Sequence, residues 1–185
     1  MNRSIMWAQV GEAGLEQLHI SQGKDEIIAD GLVLLKEQNV PLRVHYTVRC
    51  DSKWIAREVS LHVVGLAGAR QRLTSDGTGH WFRRGQKLAA LDGCLDVDIN
   101  VTPFTNTLPI RNLGLQPGES AEISVVYLIV PELSFRPARQ RYTCLELTPE
   151  GGRYRYEGLE TGFTREITVD ADGLVIDYPD IWRRV

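Results

Sequence analysis

The sequence predicts an all-β protein: a sandwich, roll or barrel of many short strands. Three observations carry this. Apolar and polar residues alternate with a period of two over short segments, the mark of half-buried strands. Explicit turn signals separate those segments. No apolar repeat of three and four residues is sustained over a dozen positions, so nothing long enough to cover a sheet reads as a helix.

The elements follow in order. Strands are expected over Ile5 to Val10, Leu15 to Ser21 and Glu26 to Leu35. In PLRVHYTVRC, Leu42, Val44, Tyr46, Val48 and Cys50 share one face, and Arg43, His45, Thr47 and Arg49 the other. In WIAREVSLHVV, Ile55, Val59, Leu61 and Val63 share a face that only Arg57 interrupts. Asp51 and Ser52 lie between these two runs as turn formers, which makes the pair a hairpin. Ala69 to Thr74 precedes the turn SDGTG, and LDGCLDVDIN (Leu91 to Asn100) alternates again. Pro103 and Pro109 interrupt Thr102 to Leu115, which predicts a helical turn plus an ordered loop. Ala121 to Val130, Gln140 to Leu147, Tyr154 to Glu157, Phe163 to Val169 and Leu174 to Tyr178 complete the strands, separated by QPGES, TPEGG and DADG. No repeat, low-complexity tract or linker composition divides the chain, so one domain over residues 1–185 is expected.

Composition narrows the function. With 185 residues, 43% hydrophobic and 24% charged, disorder, collagen and disulfide scaffolds are excluded. A formal charge of -3 argues against nucleic acid as a partner. The longest apolar run, Ile123 to Val130, is strand-sized, so no membrane span is expected. Gln9, Gly11 and Glu12 break the N-terminal run where a secretory signal needs continuous apolar residues. Cys50, Cys94 and Cys144 are odd in number and far apart, which suits a reduced compartment, and a cytoplasmic location is expected. His19, His45, His62 and His80 have no ligand spacing, and no P-loop, GxGxxG or GxSxG occurs, so neither metal nor cofactor is expected. Arg70, Arg72, Arg83, Arg84 and Lys87 oppose the single acid Asp76 between Gly68 and Ala90. This basic block reads first as a solvated hairpin with Trp81 and Phe82 on its core side.

Two constellations could carry chemistry. Asp96 and Asp98 are two apart on a strand, so their carboxylates share a face, about 7 Å apart. Close carboxylates divide acid and base roles or hold a cation; the structural alternative is a solvated face opposite Leu95, Val97 and Ile99. The loop that follows supplies Thr105, Asn106, Thr107 and Arg111, donors that could join the carboxylates in a network. The second set is Tyr46, Asp51, Trp54 and Arg57 around the hairpin, where Trp54 can cover a sheet end while Asp51 caps the turn and pairs with Arg57. Aromatics are scattered about one per strand; they can line an apolar hollow and stack on sugar rings, or simply pack the core.

The runs LDGCLDVDINVTPFTNTLPIRNLGL, YTVRCDSKWIAR and VDADGLVIDYPDIWRR, with WAQVGEAGLE and PARQRYTCL, resemble a bacterial family once of unknown function and now labelled putative glycolipid-binding. The family pattern often carries two arginines after Pro-Ile, whereas Arg111 is followed here by Asn112. The resemblance implies a mainly β fold, a single antiparallel sheet curled into a roll or incomplete barrel, similar to lipoprotein carriers, around an apolar hollow. Together with the two-faced strands and the polar loop, it leads to the expectation of non-catalytic binding of an amphiphile, glycolipid-like, with Asp96, Asp98, Thr105, Asn106, Arg111, Trp54 and Tyr46, taken from the two constellations, as ligand-binding residues. Two other readings stand beside it. One is an enzyme acting on a small or sugar-like molecule through Asp96 or Asp98 with Arg111 as anion clamp. The other is a protein-interaction module docking through sheet edges or through Arg83 and Arg84; open edges also allow a homodimer.

Overall fold

The computed structural model describes residues 2–37, 39–66 and 68–185. Strands β1 (Asn2–Gln9), β2 (Leu15–Gln22), β3 (Glu26–Glu37), β4 (Val40–Asp51), β5 (Ala56–Val63), β6 (Arg70–Ser75), β7 (Trp81–Arg83) and β8 (Gln86–Lys87) form a meander. After β9 (Asp96–Ile99) and helix α1 (Thr107–Leu113), a second meander comprises β10 (Ser120–Ile129), β11 (Ser134–Thr148), β12 (Gly151–Gly158), β13 (Phe163–Asp170), β14 (Val175–Tyr178) and β15 (Trp182–Arg184). The chain ends close the two meanders into one 15-stranded sheet, because β1 pairs antiparallel with β15. Every pairing is antiparallel except β9 with β10. The expected curled β-sheet is therefore the fold, and the ladder stays open between β8 and β9.

The open seam is laced rather than paired. Leu88 N donates to Trp81 O at 2.8 Å, Gly93 N to Gly79 O at 2.9 Å, and Trp81 Nε1 to Cys94 O at 2.8 Å. Leu95 N reaches across to Ser124 O of β10 at 3.2 Å. The segment between β8 and β9 thus bridges both sheet edges and satisfies backbone groups that an edge would leave bare.

Local sequence explains most elements and corrects some expectations. On β5 the apolar face is Ala56, Val59, Leu61 and Val63, and Arg57 is the extra residue of a bulge that opens the β4–β5 register after Arg49. Asp51 caps that hairpin, accepting from Lys53 N and Ile55 N, and pairs with Arg57 at 2.9 Å. The basic block forms the expected hairpin, β7 paired antiparallel with β8, whereas β15 was not expected; at three residues it shows no measurable period. Trp81 and Phe82 do not share the core side: Trp81 is buried and Phe82 is half-buried on the opposite face, as alternation along β7 requires. The Thr102 to Leu115 segment forms a 3-10 turn (Phe104–Asn106) running into α1. Pro109 is tolerated because it lies in the first helical turn, where its missing N–H has no partner to lose. Gly114, left-handed at φ 57°, ends the helix.

The concave side of the first meander is filled. Trp7, Leu18, Ile20, Tyr46, Leu61, Leu73 and Trp81 are fully buried there, and Phe104 stacks on Tyr46 with centroids 6.3 Å apart. No helix among the described residues is long and apolar enough to cross a membrane.

Candidate functional site

The hollow lies in the second meander. Register places Asp96 and Asp98 of β9 on one face with Val125 and Tyr127 of β10, then with Ala138 of β11. Val97 and Ile99 share the other face with Val126 and Leu128, and those four are buried as well. The expectation of a solvated carboxylate face is therefore corrected. β9 is covered on both sides: Asp96 is buried, and Asp98 is half-buried at the wall of a cavity.

A cavity of about 420 Å³ opens against Asp98. Tyr127, Tyr156, Phe163, Tyr178 and Trp182 supply aromatic walls, and Asp98, Asn106 and Gln140 supply polar atoms. Tyr156, Phe163 and Tyr178 form a mutual cluster with centroids 6.0, 6.5 and 6.4 Å apart. Arg136 lies over the Tyr127 ring and Arg165 over Phe163, at 5.1 and 5.0 Å. This volume falls within the roughly 300–1,000 Å³ of small-molecule sites, and the mixture of aromatic faces with a few convergent polar groups is their usual lining.

Asp98 is the centre of the polar wall. Gln140 Nε2 donates to its Oδ2 at 2.6 Å and Thr105 Oγ1 to its Oδ1 at 3.1 Å. Burial raises its pKa above the ordinary carboxylate range, against the opposing pull of those two donors. Burial, and beyond it the nearby Asp98, likewise raises Tyr127 and Tyr156, so the phenols stay neutral donors. Thr105 also accepts from Ile99 N at 3.3 Å, which ties the 3-10 turn to β9. Asn106 is fixed by the Tyr142 hydroxyl, which donates to its Oδ1 at 2.8 Å, and by its own bond to Pro103 O at 3.1 Å.

The remaining expected site residues are placed elsewhere. Asp96 is buried beneath Asn112, whose Nδ2 donates to it at 2.9 Å; burial raises its pKa to about 7, against that bond. Asn112 thus supplies a neutral donor to a buried acid. Arg111 turns away from both carboxylates: its guanidinium sits 4.3 Å from the Trp54 ring centroid and donates to Asp172 O at 2.5 Å. Tyr46 lies in the filled half, bonded to Glu16. Of the residues expected to bind ligand, Asp98 and Asn106 line the cavity, and Thr105 supports Asp98 without lining it.

Gln140 was not expected at the site, while the aromatics were expected only collectively, as a lining of a hollow or as core packing. Gln140 had a signal: it stands in phase with the buried Tyr142 and Cys144 of β11, where alternation calls for an apolar residue. Among the described residues no group of three His, Cys, Asp or Glu could hold a metal ion.

Fold and site together define a β-meander protein with one aromatic and carboxylate-lined hollow beside a packed core. The model of the family described as putative glycolipid-binding matches residues 4–184, and the chain belongs to that family. It is also similar to the crystal structure of a DUF1089 family protein from Pseudomonas aeruginosa, with 39% identity, 92% of each chain covered and a TM-score of 0.80. No curated protein matches.

Proposed function

We propose that the protein binds an amphiphile with a sugar-like head, non-catalytically, in the cavity beside Asp98. The observation that carries this reading is the division of the lining. Aromatic faces of Tyr156, Phe163 and Tyr178 stand among the same walls as Asp98, Gln140 and Asn106. The C–H face of a pyranose ring packs on aromatic rings, while its hydroxyls need carboxylate and amide partners. The family description points to the same chemistry. With the first meander filled, the cavity has room for the head and the start of an acyl chain, and the rest of the chain would leave through the opening. A catalytic reading needs a second reactive group, and Glu160, the other carboxylate of the lining, is already engaged by Arg139 N at 2.9 and 3.1 Å.

Native mass spectrometry of protein purified from its own host, with lipid extraction, tests the proposal. A bound species with a sugar head is expected, and its loss from Tyr156→Ala and Asp98→Asn variants. Ligand-free protein that also shows no Trp182 fluorescence change with any glycolipid overturns it.

A further inference from the structure

The outer face of the first meander carries a second pattern that the cavity does not use. Across β1 to β6, register aligns Met6, Gln17, Leu32, His45, His62 and Arg70 in one row. The next row aligns Ala8, Leu15, Leu34 and Arg43, and the row on the other side ends in Thr47, Ser60 and Arg72. Met6, Leu15, Leu32 and Leu34 are each between 40% and 43% exposed, and they sit together at the β1–β3 end. The β4–β6 end is cationic, and it opens into a groove of about 540 Å³ lined by His45, His62, Arg70, Arg72, Arg83 and Arg84.

Three acids on this face are already paired, Glu26 with Arg49 at 3.0 Å, Asp30 with His45 at 3.0 Å and Glu58 with Arg72 at 2.7 Å. Arg43, Arg70 and Arg84 make no ion pair among the described residues. A chain of net charge -3 thus concentrates uncompensated cations beside an exposed apolar patch, on one face. Apolar side chains flanked by arginines match the acyl boundary and the phosphates of a lipid surface at once.

We propose that this face docks onto an anionic phospholipid bilayer, with a lipid phosphate in the Arg70–Arg84 groove and Leu32 and Leu34 against the acyl boundary. The surface goes beyond the ligand cavity and lies on a different half of the sheet.

Sedimentation with vesicles tests it: pure phosphatidylcholine against one part phosphatidylglycerol to two parts phosphatidylcholine. The protein is expected to sediment with the anionic vesicles only, and added salt to release it. Each cation near an anionic surface contributes about fivefold in partitioning, so Arg70→Glu with Arg84→Glu loses about 25-fold or more. Both side chains are exposed and unpaired, and a melting curve verifies that the variant folds. Leu32→Ser with Leu34→Ser weakens the binding that survives added salt. Equal sedimentation with both vesicle types, none with either, or undiminished binding by the folded arginine variant overturns the proposal. Salt-sensitive retention on heparin without vesicle binding assigns the groove to a soluble polyanion instead, and a concentration-dependent dimer assigns the patch to a second copy; each also overturns it.

Discussion

The Tyr46 hydroxyl donates to Glu16 Oε1 across 2.5 Å in the filled half of the sheet, and Thr102 donates to the same oxygen at 2.7 Å. Glu16 is fully buried, and its other oxygen has no partner among the described residues. Among the described residues no cation compensates it, so hydroxyls hold the acid. Thr102 also lines the cavity, so this acid stands one residue behind the cavity wall.

Glu16 therefore makes stability fall with rising pH. Burial raises its pKa from 4.5 to about 8, although Tyr46 and Thr102 oppose the shift. A raised folded-state pKa means the folded protein holds the proton that the unfolded chain has released. The contribution is whole below about pH 4.5 and is lost, at about 1.4 kcal/mol per pH unit, up to about pH 8. Asp96 adds to the same slope up to about pH 7. Glu16→Gln keeps an acceptor for both hydroxyls and removes one ionisation. Urea midpoints between pH 5 and 8 are expected to fall less steeply for the variant, which overtakes the parent at the alkaline end. Parallel curves would show that Glu16 is ionised throughout.

The same tyrosine makes Gly31 irreplaceable. Gly31 pairs with Tyr46 across β3 and β4, and a Cβ there would lie 2.2 Å from two atoms of the ring. The ring cannot yield, because Phe104 stacks on it and Glu16 holds its hydroxyl. Gly31 has no left-handed backbone, so the conflict is purely one of space. Gly31→Ala should cost about 1–3 kcal/mol, as overpacking does. Tyr46→Leu, which clears the space, should make the added methyl nearly harmless, so the double variant is more stable than the sum of the two losses. Strict additivity in denaturant unfolding would refute the contact.

How far the sequence foretold this molecule depended on whether a feature was local. The alternation from Leu42 to Cys50 marked β4 and its buried face, and turns such as SDGTG marked strand ends, because each is written within a few residues. The closure of β1 on β15 is written nowhere locally, since it joins residues such as Trp7 and Arg184. Asp98 and Asn106 stood out as polar residues next to apolar neighbours. Their actual partners, Gln140 and Tyr142, come from β11 and are set by register over two ladders. Arg111 was drawn away by a competing attraction, the face of Trp54, that adjacency to the carboxylates could not reveal.

The seam supplies the last prediction. Trp81 is fully buried, and its Nε1 is the donor to Cys94 O, so the indole spans the gap that strand pairing leaves. The lacing beside it depends on close backbone approach: a Cβ on Gly79 would meet Gly93 Cα at 3.2 Å, and Gly79 has a left-handed φ of 94°. Trp81→Phe keeps an aromatic ring but strands a buried carbonyl and leaves space, which should cost about 1–3 kcal/mol for the lost bond alone. That loss falls at the seam first. Amide hydrogen exchange at Gly93 and Leu95, whose bonds run to Gly79 and Ser124, should accelerate more than exchange within β3 and β4. An equal acceleration in β3 would mean that the open edge unfolds only with the whole sheet, and that the tryptophan stabilises the core rather than the closure.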